Sequence, residues 1–213
     1  MKIRFRLLLV SAILFASCSG HTKKVIVYAN TDADINDNTK TITQKDNEGH
    51  LDKEIQLNTG DKVTIKVIQK DGSTANIDIP EGGYYILNVK AKDTIVGGYQ
   101  KYSTPEEANR MMTQDQLKHN IDSLNQMING KNTNATNKTY FIPPNTATKI
   151  TANTDATIVG PYHRMTSVEQ NGSEAPEVYR FYSVKEVRET IDKLQKLTGG
   201  DSTANKEEPK KEK

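Results

Sequence analysis

Short oxygen-bearing side chains recur at alternate positions early in the chain, in the segment DADINDN. Asp32, Asp34 and Asn36 fit the pattern D-x-[DN]-x-[DN], whose carboxylate and carboxamide oxygens can converge on one hard cation such as calcium. The pattern then departs from a complete calcium loop, because Asp37 stands where the turn needs glycine and Thr43 stands where a bidentate glutamate should close the site. Two interpretations stay open, a calcium site of different loop geometry and a solvated acidic turn.

A second candidate site follows two similar strands. Tyr99 ends TIVGGY and Tyr162 ends TIVGPY, so the two tyrosines could form a paired aromatic platform or be ordinary core and rim residues. His163 and Arg164 come directly after Tyr162 and could bind an anion, although an exposed turn is the simpler interpretation.

The sequence contains no recognised catalytic set. The histidines lack the HExxH spacing of zinc proteases, and G-x-S-x-G, Ser-x-x-Lys and Walker motifs are missing. His50 lies between Glu48 and Asp52, where a catalytic base could sit, but the sequence identifies no partner for it. We predict that the protein is not an enzyme. The alternative is a hydrolase of envelope polymers that uses His50 or an unrecognised acid pair.

The first 18 residues have the order of features found in a secretory signal. Lys2, Arg4 and Arg6 precede an apolar run, residues 7–16, that would rise about 15 Å as a helix, roughly half of a bilayer's hydrocarbon thickness. Small residues then precede Cys18, which is the only cysteine of the chain. An intramolecular disulfide is therefore excluded.

Phe15-Ala16-Ser17-Cys18 resembles the lipobox of bacterial lipoproteins. The resemblance implies that residues 1–17 are a cleaved signal peptide and that residues 18–23 are a tether lipidated on Cys18. It also implies a thioether-linked diacylglycerol and an acylated amino group, with chains such as palmitate. Three acyl chains make release from a membrane negligible.

The residues after Cys18 bear on location. Ser19 is not the aspartate that resembles an inner-membrane retention signal, and GHTKK lacks the acidic run that resembles the export signal of Bacteroidota surface lipoproteins. Triplets beginning at Asp93, Asp122 and Asp201 resemble the O-glycosylation sequence of Bacteroidota secreted proteins. We expect a lipoprotein of Bacteroidota type on the periplasmic face of the outer membrane rather than on the cell surface.

Charge and composition limit the partners and the core. Removal of residues 1–17 takes away three of the 29 basic residues and leaves 26 against 27 acidic ones. A nucleic-acid surface, which needs a basic excess, is therefore not expected. Roughly 175 residues, 24–198, are enough for one modest core or two small ones. Residues 199–213 are polar, without apolar periodicity, and predict a disordered tail.

Residues 24–102 have the alternation and the turns of an antiparallel β-sandwich. Val63, Ile65 and Val67 alternate with polar residues, and KVIVYA is rich in β-branched and aromatic residues. Turn residues such as DG separate the runs. The order strand, DG, strand, PEGGY, strand resembles transthyretin-like or PEGA β-sandwich modules over about 30 residues.

Residues 103–198 predict two amphipathic helices with further strands between them. The first helical segment has capping-box starts at Thr104 and Thr113, and the second has one at Ser183. Apolar residues at helical spacing predict a core-facing stripe on each: Leu117, Ile121, Leu124 and Ile128, then Val184, Val187, Ile191, Leu194 and Leu197. The predicted fold class is α+β, with this part packing on the sandwich-like part.

Two short sequences occur twice in the chain. The ANTDA copies begin at Ala29 and Ala152, and the TIVG copies begin at Thr94 and Thr157. The two pairs have different offsets, whereas a tandem duplication would give one. We predict turn chemistry used twice, in which Asn and Asp end a strand and glycine breaks it.

These features predict a lipid-anchored envelope protein that acts as a non-catalytic binding or assembly factor, without a cofactor. Its expected partners are the membrane and an envelope protein or glycan. A hydrolase and a calcium-stabilised adhesion module are the alternatives.

Overall fold

The structure, a computed structural model, describes residues 22–47, 49–59, 61–101, 112–164 and 176–198. The predicted signal peptide, Cys18, most of the tether, the helix start at Thr104 and the C-terminal tail lie outside these residues. The predicted α+β class with a sandwich-like β part is confirmed. The described elements are β1 (Thr22–Ala29), β2 (Ala33–Asn36), β3 (Thr41–Gln44), β4 (Leu51–Asn58), β5 (Val63–Ile68), β6 (Thr74–Ile79), β7 (Gly83–Asn88), β8 (Ile95–Tyr99), α1 (Gln114–Ile128), β9 (Thr139–Ile142), β10 (Thr146–Thr151), β11 (Thr157–Val159), β12 (Val178–Ser183) and α2 (Val184–Leu197).

The chain forms two compact units whose bounds differ from the predicted parts. Unit 1 contains the described residues up to Lys92 together with Pro144–Ala156, and unit 2 contains Asp93–Pro143 and the described residues from Thr157 onward. β10 belongs to unit 1 because it pairs with β7, and β8 belongs to unit 2 because it pairs with β9 and β12. Neither described helix is long and apolar enough to cross a bilayer.

Unit 1 contains two four-stranded sheets, sheet A in the order β10-β7-β1-β4 and sheet B in the order β2-β3-β5-β6. The sequence predicted antiparallel sheets, but each sheet also contains one parallel pair, β1–β7 in sheet A and β3–β5 in sheet B. Alternating residues from one face of each sheet form a single core, which is why these strands carry apolar residues at every second position. Its members include Val25, Val27, Ile55, Leu57, Tyr85 and Leu87 from sheet A, and Ile42, Val63, Ile65, Val67, Ile77 and Ile79 from sheet B.

The strand ends of unit 1 lie at two opposite ends of the sandwich. At the end that we call the Thr22 end, Thr22 pairs with Asn58 and Lys23 pairs with Gly83. The buried Lys23 ammonium donates to the carbonyl oxygens of Thr59 (2.6 Å) and Asp61 (2.9 Å), which joins the segment before β5 to this end. The opposite end contains the end of β1 and the start of β4.

Unit 2 contains one sheet, in the order β11-β12-β8-β9, with α1 and α2 packed on it. The predicted capping boxes at Thr113 and Ser183 are confirmed. The apolar stripes of both helices meet at Val96 in a small core that includes Ile121, Val187 and Ile191. Leu197 departs from the prediction, since it lies in the last turn of α2 and is 69% exposed.

The glycine pair in TIVGGY does not break its strand. Gly97 and Gly98 lie inside β8, between β9 and β12. A Cβ atom on Gly97 would lie 2.1 Å from the Arg180 carbonyl oxygen, and one on Gly98 would lie 2.4 Å from that of Lys138. Glycine is present because the neighbouring backbones approach too closely for a side chain.

The repeated sequences lie in different surroundings. One ANTDA copy follows β1 and the other follows β10, which flank β7 and run in opposite directions, so the copies leave sheet A at opposite ends. The two TIVG copies contribute to β8 and β11, which flank β12 on opposite sides. The copies therefore do not form a pair of matching sites.

Candidate functional site: a polar cleft in unit 1

A cleft of about 420 Å³ lies at the end of unit 1 opposite the Thr22 end. It is formed by segments that follow β1, β5 and β7, by the last residue of β3, and by the segment before β10. All of its lining residues belong to unit 1. Loops at one end of a β scaffold are a common place for binding sites, because the strands hold them in fixed positions.

Four carboxamide side chains, those of Asn30, Gln44, Gln69 and Asn145, contribute to the lining. The Gln44 side-chain nitrogen donates to the backbone carbonyl of Val89, and the Gln69 side-chain nitrogen donates to Asn145 Oδ1. Each bond links a residue of a sheet B strand or loop to one that adjoins a sheet A strand. Both bonds use a glutamine side-chain N–H group, so Gln44 and Gln69 are held in position and keep their side-chain oxygens as acceptors.

Thr31 lines the cleft and has an unsatisfied polar group. The residue is 5% exposed. Among the fully buried side-chain nitrogen and oxygen atoms of the described residues, its hydroxyl oxygen alone has no hydrogen-bond partner. A buried hydroxyl without a partner costs about 1–3 kcal/mol. Such a group is expected to be satisfied by water or by a ligand that enters the cleft.

The charged residues of the cleft are neighbours that balance each other. Lys70 Nζ donates to the Asn47 carbonyl oxygen at 3.2 Å, and Asp71 Oδ1 accepts from the Ser73 backbone N–H at 2.9 Å. Hydrogen bonds from the Ser73 hydroxyl and backbone lower the pKa of Asp71. The cleft therefore offers carboxamides, hydroxyls and one balanced pair of charges, which suits hydrogen-bonded recognition.

The three predicted calcium ligands serve separate interactions. Asp32 Oδ2 accepts from Asn47 Nδ2 at 2.6 Å, and Asp34 Oδ1 lies 2.8 Å from Lys45 Nζ. Asn36 Oδ1 accepts two backbone N–H groups in its own turn, each at 3.0 Å. β2 is extended, so its alternate residues lie about 7 Å apart. This geometry does not support a shared cation, and the described residues contain no group of three His, Cys, Asp or Glu side chains that could hold a metal.

Tyr99 and Tyr162 are not brought together. Tyr99 pairs with Tyr179 near the start of β12, and their rings make an edge contact with centroids 5.7 Å apart. The Tyr162 hydroxyl lies 2.9 Å from Ser183 Oγ, four residues farther along β12, or about 13 Å. His163 and Arg164 are exposed and follow Tyr162 in a turn. The paired platform is therefore absent.

Tyr162 has a role that the sequence did not indicate. Its φ of 63° is unusual for a residue other than glycine. Its backbone N–H donates to Glu186 Oε1 at 2.7 Å, while Glu186 Oε2 accepts the Ser183 backbone N–H at 2.8 Å. Tyr162 thus ties the turn after β11 to the capping box of α2.

His50, the proposed base of a hydrolase, is exposed just before β4 and does not line the cleft. Its sequence neighbour Glu48 lies outside the described residues. The cleft residues themselves were not predicted from the sequence. Gln44 ends β3 and Gln69 follows β5, but their partners lie 45 and 76 residues away along the chain.

Comparison of this chain with protein families, with curated proteins and with solved structures found no match.

Proposed function

We propose that this protein is a non-catalytic binding protein of the cell envelope, anchored to the outer membrane through a lipid on Cys18. In this proposal its polar cleft recognises an envelope component, and the anchor keeps the cleft at the membrane surface. The observation that supports this proposal most directly is that the cleft and the start of β1 lie at opposite ends of unit 1.

The dimensions of unit 1 agree with this arrangement. Cys18 precedes Thr22 by four residues, a distance of at most about 14 Å in an extended chain. β1 has eight residues and extends about 26 Å from the Thr22 end towards the cleft. A lipid on Cys18 would hold the Thr22 end near the bilayer and leave the cleft open to the aqueous compartment.

The lining of the cleft favours binding over catalysis. Among the residues that the structure describes, its ionisable side chains are Lys70 and Asp71, and each makes a hydrogen bond within unit 1. A general base needs a proton-accepting group within hydrogen-bond reach of the substrate, and a nucleophile needs such a base beside it. The hydrolase alternative needs His50 or an acid pair; His50 does not line the cleft, and Asp71 is the one carboxylate among the described residues that do.

Site-specific photo-crosslinking in intact cells tests the proposal. A photoreactive amino acid would replace Ser73, at the cleft, or Lys62, which is exposed near the Thr22 end, in the full-length protein. We expect a discrete product of higher mass from position 73 and none from position 62. Equal labelling at both positions, or no product from position 73, would contradict recognition through the cleft.

A further inference from the structure

The chemistry of the cleft indicates the class of its ligand. We infer that the cleft binds a neutral, polyhydroxylated saccharide of about two sugar residues, which fits a cleft of 420 Å³. This inference rests on the proposed function, because it names the ligand of the same cleft. Three properties of the lining support the inference: the balance of its charges, its hydrogen-bonding groups and the lack of a large apolar residue among its described members.

The charge balance disfavours an ionic ligand. Lys70 and Asp71 are adjacent and of opposite sign, and they are the charged residues among the described part of the lining. The ammonium of Lys70 already donates to Asn47, and the carboxylate of Asp71 already accepts from Ser73. An ionic ligand that paired with one of them would also meet the like charge of the adjacent residue, so the lining gives no net attraction to offset the loss of the ligand's hydration.

The hydrogen-bonding groups match hydroxyls. Gln44 and Gln69 each use a side-chain N–H within unit 1 and retain a carbonyl oxygen as an acceptor. The Thr31 hydroxyl, unpaired within the described residues, can donate and accept. A sugar hydroxyl also donates and accepts at once, so neighbouring hydroxyls can satisfy carboxamide oxygens and the Thr31 hydroxyl together.

The lining lacks what a peptide side chain would need. Ala91 is the one apolar residue among the described residues that line the cleft. Peptide ligands obtain specificity from pockets for their side chains, and this lining has no apolar residue of sufficient size to form one. None of the lining residues in the described ranges is aromatic either, so we expect weak binding, with a Kd of about 0.1–1 mM.

Side-chain NMR of the full lipidated protein in nanodiscs tests this inference. The probes are neutral di- and trisaccharides, the matching uronic acid-containing saccharides, and blocked di- and tripeptides. We expect the NH₂ resonances of Gln44, Gln69 and Asn145 to shift saturably with at least one neutral saccharide. The charged saccharides and the peptides should leave these resonances unchanged.

Two cleft variants and one matched control sharpen the test. Gln69→Glu removes the side-chain N–H that donates to Asn145 Oδ1 and places a carboxylate against that oxygen, so both side chains lose their positions and saccharide binding should weaken at least tenfold. Thr31→Val keeps the side-chain shape, should leave the free protein at least as stable as the parent, and should weaken binding severalfold. Gln56→Glu makes the same chemical change on the exposed face of β4 and should leave binding unchanged.

The outcomes separate the ligand class from the proposed function. Saturable shifts with peptides or charged saccharides, and not with neutral ones, would overturn the saccharide inference and leave recognition through the cleft intact. Equal loss of binding in Gln69→Glu and Gln56→Glu would also overturn it. If no probe shifts the cleft amides, the saccharide inference is overturned, and photo-crosslinking at position 73 separately decides whether the cleft binds anything.

Discussion

Substitution of Gly97 by alanine should destabilise unit 2 severely. The new Cβ atom would lie 2.1 Å from the Arg180 carbonyl oxygen and 2.7 Å from Phe181 Cα, both of which are backbone atoms of β12. Real Cβ atoms essentially never come closer than 3.0 Å to such neighbours. β12 would therefore have to move away from β8 by about 1 Å, which breaks hydrogen bonds between the two strands.

The expected cost follows from this displacement. Two ladder hydrogen bonds contribute about 1–3 kcal/mol together, and disturbance of the packed β8–β12 contact adds about 1–3 kcal/mol. We expect Gly97→Ala to lower the free energy of unfolding by about 2–6 kcal/mol. Gly130→Ala is the matched control in the same unit, because Gly130 has a φ of 66° and the atom nearest to its Cβ would be a Phe141 ring carbon, at 3.4 Å. That control should cost about 1–2 kcal/mol, the penalty of a left-handed conformation.

Urea denaturation followed by circular dichroism at 222 nm measures both variants. The two described helices belong to unit 2, so the signal reports chiefly on that unit. A Gly97→Ala protein that is unfolded at 25 °C also meets the prediction, provided that Gly130→Ala folds. If Gly97→Ala lowers the free energy of unfolding by no more than Gly130→Ala does, β8 and β12 do not approach each other as closely as described.

Three further predictions concern the capping box, an ion pair and calcium. Glu186→Ala removes the acceptor of two backbone N–H groups and should cost about 1–2 kcal/mol by urea denaturation, whereas Asp192→Ala on the exposed face of α2 should change stability by less than about 0.5 kcal/mol. The Lys149 ammonium lowers the pKa of Glu81 from its usual 4.5, so this pair stabilises the fold above pH 4.5 and loses its effect as the pH falls. Glu81→Gln should therefore make the free energy of unfolding less dependent on pH below 4.5. An unchanged dependence on pH would contradict the ion pair. Calcium or a chelator should shift the Tm by less than about 1 °C, because Asp32 and Asp34 have other partners, and a saturable rise with calcium would restore the metal site.

Local patterns predicted much of the fold. The alternation of Val63, Ile65 and Val67 correctly indicated one buried face, because side chains alternate along any strand. The capping boxes at Thr113 and Ser183 could also be predicted, because all the atoms of each box lie within four consecutive residues. The order of the strands in the sheets could not be predicted from the sequence, because pairing such as that of β10 with β7 depends on contacts between segments far apart in the chain.

The structural role of the glycine pair in TIVGGY could not be predicted from the sequence either. A Gly-Gly pair after TIV is equally consistent with a strand that ends and with a strand that has close neighbours. Only the position of the Arg180 and Lys138 carbonyl oxygens decides between the two, and these belong to other strands. The second reading holds for Gly97 and Gly98.

The candidate site was harder to predict than the fold. The spacing of Asp32, Asp34 and Asn36 suggested convergence on a cation, but an extended β2 separates alternate side chains instead of gathering them. The cleft depends on pairs such as Gln69 and Asn145, which the folding of two sheets brings together from distant parts of the sequence. Polar residues after apolar strands are common, so they gave no signal of their own.

Attachment to a membrane through Cys18 is best tested by intact-mass measurement of the native protein purified from membranes. We predict a species that lacks residues 1–17 and carries a diacylglycerol and a third acyl chain on Cys18. A species that begins at Met1, or one that is cut elsewhere and carries no fatty acid, would contradict the lipid anchor and with it the proposed presentation of the cleft.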